Sequence, residues 1–282
     1  MSVQRLVRAR VVLAVGLMVL SGSDFHTLFT IDFAGPTMRL LEPVWFFHVF
    51  GIDRAHPVTV LLAFGLLMVG NLALLVGFRV RAAIAIICVS FLYLQGVRDS
   101  TAGDEHHRFY MWFHALLLLA FSRFPEIRGA GRLPVDPPLE AWQTSWPIRA
   151  AQTYVCGFYF VAGLAKLRVS GLDWVLDGTA IQKMLIMKGT RWGIDDGTLG
   201  WFAENTLLCH FTVLSILVME LGFPLVFFLR AKRAILAFLV AMTVFHWSSA
   251  IFAEVNFWVT PALLFALFYP FGETPPASEL TA

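Results

Sequence analysis

Charge is what this chain lacks most. Only 14% of its 282 residues are Asp, Glu, Lys or Arg, against roughly a quarter in ordinary soluble domains, which excludes a solvated globule. Cysteine is scarce too. Cys88, Cys156 and Cys209 each fall inside an apolar segment, and no CxxC pair occurs. A disulfide framework, a thiol redox relay and a zinc ribbon are thereby excluded. With 21 basic and 19 acidic residues the net charge is +2, and no footprint for nucleic acid stands out. There is no HExxH motif to suggest a metal site and no internal repeat.

What the chain has in excess is apolar surface: 58% of its residues are hydrophobic, among them 27 Phe and 9 Trp. Such a chain belongs in a bilayer, where a span takes about 20 apolar residues. Spans are expected near residues 11–30, 57–77, 82–98, 107–122, 149–168, 207–229, 234–253 and 257–271. The expected fold is therefore all-α, a polytopic membrane bundle of about eight helices forming one domain over 1–271. A proline-rich inner linker near 123–148, with Pro134, Pro137, Pro138 and Pro147, divides it into two halves of four helices. The tail over 272–282 is expected to be disordered.

Arginine and lysine placement predicts the topology. With Met1 inside, the inner segments carry Arg5, Arg8 and Arg10, then Arg79 and Arg81, then Arg123, Arg128 and Arg132, and last Arg230, Lys232 and Arg233, a consistent positive-inside pattern. The three N-terminal arginines before Val11–Leu20 and Ser21-Gly22-Ser23 also fit a cleaved signal peptide. An uncleaved first helix is the preferred reading, since a polytopic protein needs no separate signal. Trp45, Phe46, Phe47, Trp192, Trp201 and Trp258 suit an interfacial belt. A surface helix from Gly178 to Lys188, with Ile181, Met184 and Leu185 on one side, could roof a pocket.

That topology gathers titratable groups at the outer face: Asp24 and His26, then Asp104, Glu105, His106 and His107, then Lys166, His210, His246 and Glu254. An ionisable side chain at membrane depth is costly and marks a functional site by default. Lys166 stands out, ending the apolar stretch from Tyr154 to Leu167 just before the polar run Ser170-Gly171-Leu172-Asp173-Trp174. Tyr159, Gly163 and Lys166 are spaced i, i+4, i+7 and share one side of a helix, and His246 shares a side with Ser249. An outward-opening pocket on Lys166 is the common explanation, with Tyr159, Asp173, Trp174, His210, His246 and Glu254 as candidate ligand contacts. His26, His48, His56 and His114 are read as structural. Glu220 lies mid-span, where a carboxylate must be paired or protonated, and is read as a structural contact to a neighbouring helix or as the pocket floor.

The run Tyr159-Phe160-Val161-Ala162-Gly163-Leu164-Ala165-Lys166-Leu167, followed by Asp173-Trp174-Val175 and Gly178, resembles the vitamin K-dependent gamma-carboxylase membrane domain and the wider HTTM-domain family of bacterial membrane proteins. The likeness continues through His210 to Glu220 and in Phe245-His246 with Phe252 and Phe257, covering roughly residues 100–270. It implies that Lys166 is a base that deprotonates a reduced quinone, a vitamin K hydroquinone or similar, assisted by a histidine matching His106 or His107. A partly desolvated amine can accept a proton from a phenol-like group, and an imidazole can donate a hydrogen bond to the developing charge. With the charge pattern placing the N-terminus of this multi-pass chain in the cytoplasm, a bacterial inner membrane is the expected location, and a lipid, quinol, peptide or protein the expected substrate. The carboxylase's large lumenal region does not follow here, so carboxylation of protein glutamate is not expected. The resulting expectation is a membrane enzyme acting on a quinol or another lipid-soluble substrate. Its rival is a noncatalytic component of peptide maturation, export or immunity.

Overall fold

The computed structural model describes residues 3–30, 38–40, 42–102, 108–122, 141–171, 176, 179–192, 197–253 and 257–270. The chain is almost entirely helical. Its helices are α1 Val3–Thr30, α2 Trp45–Val49, α3 Pro57–Val76, α4 Val80–Ala102, α5 Arg108–Leu119, α6 Ala141–Ser170, α7 Thr179–Trp192, α8 Gly197–Glu204, α9 Thr206–Gly222, α10 Lys232–Ala253 and α11 Thr260–Phe268. Two short strands, β1 Met38–Arg39 and β2 Arg54–Ala55, pair antiparallel beside α2 in sequence.

Five stretches among the described residues are long and apolar enough to cross a bilayer: Arg5–Ser23, Pro57–Val76, Val80–Thr101, Thr206–Phe228 and Lys232–Ile251. The expected count of eight is not reached. The expected spans at 107–122 and 257–271 contain α5 and α11, of 12 and 9 residues, each shorter than the hydrocarbon is thick. The expected span at 149–168 belongs to a longer helix, α6, whose 30 residues include polar and charged side chains at both ends.

The proline-rich linker also ends sooner than its composition suggests, because α6 already starts at Ala141 and carries Pro147 inside it. One missing N–H is tolerable where neighbouring groups take up the freed carbonyl. The chain divides into two compact units, and the boundary falls within α6, between Ala151 and Gln152, rather than in that linker. Residues 123–140 and the tail over 272–282 lie outside the described residues.

In the first unit, α3 and α4 form a hairpin with explicit punctuation. His56 Nδ1 accepts the Val58 N–H at 3.2 Å, Pro57 takes the first helical position, and Gly77 ends α3 at φ 81°, a left-handed conformation that glycine adopts without strain. Across the far end of the hairpin the hydroxyls of Thr59 and Tyr93 are 2.6 Å apart. Large apolar side chains join the other helices. The Trp112 ring of α5 lies so close to Gly16 of α1 that a Cβ there would fall 2.1 Å from it, and Phe25 sits 5.8 Å from Phe109 and 6.2 Å from Phe91, centroid to centroid. Arg5 and Arg10, expected as inner-loop charges, lie within α1 and are buried.

The second unit runs from Gln152 to Pro270. Gln152 Nε2 donates to the Leu267 carbonyl at 2.6 Å, tying α6 to α11. The Asn205 side chain caps α9 by accepting the Leu208 N–H at 3.0 Å, as a short amide at the N-cap should. Pro224 then denies α9 its next rung, and the chain tightens into a 3₁₀ turn from Phe223 to Phe228, with the Phe223 N–H on the Glu220 carbonyl. The surface helix expected over 178–188 forms as α7, and Ile181 and Leu185 are buried on its inner side. They pack with Ala203, Cys209 and Val213, and Gln182 Nε2 donates to the Ala203 carbonyl at 2.9 Å.

Candidate functional site

Gly163 sets the distance between α6 and α9. A Cβ there would lie 2.8 Å from Leu221 Cδ2 and 3.2 Å from Glu220 Cβ, so the glycine lets the two helices meet closely at this level, as small residues do in membrane bundles. One turn further along α6, Lys166 reaches Glu220. Its Nζ donates to both carboxylate oxygens, at 2.6 and 2.7 Å. The lysine side chain keeps 30% of its exposure and the glutamate only 9%, so Lys166 is the more exposed half of the pair.

One turn before Gly163, Tyr159 points into the same unit. Its hydroxyl and His246 Nε2 of α10 are 2.5 Å apart. The Tyr159 ring stacks on Phe223 with centroids 4.3 Å apart and planes 18° from parallel. His246 is 2% exposed and packs beside Phe257. Its Nδ1 is buried, with no hydrogen-bond partner among the described residues. Tyr159, Gly163 and Lys166 thus act from one side of α6, as their spacing predicts, Gly163 and Lys166 against the end of α9 and Tyr159 against its 3₁₀ continuation and α10.

Tyr159 and Lys166 lie on one side of α6, Tyr159 bonded to His246 and Lys166 to Glu220, the latter read from sequence as a structural contact to a neighbouring helix or the pocket floor. Its isolation in an apolar span was the available signal. His210 belongs to neither pair. It precedes Glu220 by ten residues on α9, about 15 Å at the α-helical rise, so the depth expected to be common to His210 and Lys166 is not shared. The reason is that Lys166 engages the far end of α9, whereas His210 lies in its first turns. His210 Nε2 is buried without a hydrogen-bond partner among the described residues. His106, His107, Asp173, Trp174 and Glu254 lie outside the described residues, as do the side chains of Asp24 and His26.

Beside these pairs, helices α7 to α10 line a half-open cavity of about 480 Å³, within the range of small-molecule sites. It follows α9 from Leu208 to Met219 and is mostly apolar. None of Tyr159, Lys166, Glu220 or His246 lines it, although Met219 and Phe245, their chain neighbours, do. Among the described residues no three His, Cys, Asp or Glu side chains converge into a metal-binding group. Comparisons with protein-family models, curated proteins and solved structures find no match. The resemblance to the gamma-carboxylase membrane domain therefore stands on its residues alone.

Proposed function

We propose that this chain is an integral membrane enzyme that takes a proton from an uncharged, lipid-soluble substrate of the quinol class, with the Lys166–Glu220 pair as the acceptor. The observation that carries this reading is the bidentate pair itself, a partly exposed lysine backed by a buried carboxylate. In the resting pair Lys166 is an ammonium and has no lone pair to offer. Passing one of its protons to Glu220 leaves a neutral amine and a carboxylic acid, an exchange that a low-dielectric site makes inexpensive because it removes two charges at once. The amine then takes the proton from the substrate hydroxyl. The products are an ammonium, a neutral Glu220 and the substrate anion, so charge balances and the anion meets the ammonium. Tyr159 and His246 hold α6 and α10 in register beside the pair. A histidine at His106 or His107 that donates to the anion is the role the resemblance assigns.

A second reading has its own support. A pair whose lysine already makes two short bonds to its carboxylate is a good interhelical clasp, and none of the four paired residues lines the cavity. On that reading the chain is a noncatalytic component of peptide maturation, export or immunity.

Lys166→Arg separates the two. Arginine reproduces the bidentate pair but stays protonated in any plausible environment. With the protein in nanodiscs, a naphthohydroquinone should develop the spectrum of its anion on binding, and Lys166→Arg should bind it without that change while remaining as stable as the parent. An anion spectrum undiminished in Lys166→Arg would leave the clasp as the better account.

A further inference from the structure

The half-open cavity lined by α7 to α10 is confined to one depth. On α9 its lining runs from Leu208 to Met219, about 16 Å at the α-helical rise. These residues occupy the first half of the 23-residue span Thr206–Phe228 and reach just past its middle. On α10 the lining runs from Ala241 to Ser249, within the second half of the span Lys232–Ile251. Two spans in succession cross in opposite directions, so both halves lie toward one membrane face, the face marked by the exposed polar run Glu204-Asn205-Thr206. A hydrocarbon core of about 30 Å is two leaflets of about 15 Å each. The cavity therefore starts near a headgroup layer and stops near the midplane, which is the reach of a single acyl chain.

The wall suits a hydrocarbon chain. No charged side chain lines it, and the hydroxyls of Thr212, Ser215, Ser248 and Ser249 each give their proton to a carbonyl one turn back on the same helix, at 2.7 or 2.8 Å. Phe211 and Val244 line the cavity and are also exposed, as are Leu207, Leu214 and Val240, one turn away on the same faces. The mouth is thus framed by apolar side chains of two membrane spans and opens sideways onto lipid. A void of about 480 Å³ left empty forfeits the dispersion contacts of its lining, and the hydrocarbon alongside can supply them. We infer that this cavity holds one acyl chain of a bilayer phospholipid, with the ester end near Leu208 and the terminal methyl near Met219 and Ala241. Met184 and Leu185 of α7 line the same volume, so the chain joins that surface helix to the two spans. The inference goes beyond the proton-transfer reading and uses none of its residues.

The test places the full chain in phosphatidylcholine liposomes with a trace of phosphatidylcholine carrying a diazirine on one acyl chain, and maps the photolabelled residues by mass spectrometry. A diazirine at the terminal carbon should label Ile216, Met219 and Ala241 several-fold more heavily than Leu62 and Val69, exposed residues of α3. Moved beside the ester, it should label Leu208 and Ser249 instead. Both comparisons are made within the parent protein and need no variant. Ala241→Trp, which fills the cavity from α10, should then lose the cavity label and keep the α3 label, with thermal unfolding showing that it folds. Cavity residues labelled no more heavily than Leu62 and Val69 would mean ordinary contact with bulk lipid and would overturn the inference. The same residues labelled by both probes, or a cavity label that survives in folded Ala241→Trp, would overturn it as well. So would displacement of the cavity label by a trace of naphthohydroquinone, which would give the volume to that molecule rather than to a lipid.

Discussion

The two units solve the same problem by different means. In the bilayer, hydrocarbon surrounds every helix, so burying leucine against leucine gains little and association must come from close packing or from polar bonds. Among the described contacts of α1, α4 and α5, packed aromatic volume is prominent, with the Arg98 guanidinium 6.0 Å over the Phe109 ring. Trp112 closes over Gly16, and Phe25, Phe91 and Phe109 form an aromatic cluster. The second unit joins α6 to its neighbours through Lys166–Glu220, Tyr159–His246 and Gln152–Leu267, and leaves an open cavity nearby. Packed volume makes a scaffold. Bonded polar groups of differing exposure are what the proton-transfer proposal rests on.

If that contrast is right, the second unit should break through charge. Glu220→Ala strands the Lys166 ammonium and should cost about 3 kcal/mol, the low end for a broken buried pair because Lys166 is partly exposed. Replacing both partners, Lys166→Met with Glu220→Leu, should recover most of it. Thermal unfolding in detergent reads both, and a double variant no better than the single one would contradict the account. Volume should break the first unit. Gly16→Leu forces a side chain into the Trp112 ring and should cost about 2 kcal/mol, with part returned by Trp112→Leu. The smallest effect is expected at Tyr159→Phe, which keeps the stack on Phe223 and removes one hydroxyl. A loss of about 1 kcal/mol should follow, and a loss as large as that of Glu220→Ala would place the unit's anchor at Tyr159 instead.

Much of the architecture was legible in the chain. Expected spans at 57–77, 82–98, 207–229 and 234–253 correspond to α3, α4, α9 with its 3₁₀ continuation, and α10, each to within a few residues, because hydrophobic length is a direct readout of bilayer thickness. The register of Tyr159, Gly163 and Lys166 followed from helical periodicity. What periodicity cannot convey is which helices face each other. Glu220 and Lys166 are 54 residues apart, and only the close approach at Gly163 reveals them as partners. Depth inferred from connectivity failed for His210 for the same reason. Pro147 misled in the other direction, since proline weakens a helix in water more decisively than in a bundle where freed carbonyls find partners.

The central claim is that Glu220 receives the proton that Lys166 must shed before it can act as a base. Infrared difference spectroscopy of the protein in nanodiscs, with and without a bound hydroquinone, tests it directly. The account predicts a new carboxylic-acid carbonyl band on binding that is missing in Glu220→Gln and in Lys166→Arg. Saturable binding of the hydroquinone with no such band in the parent protein would contradict it.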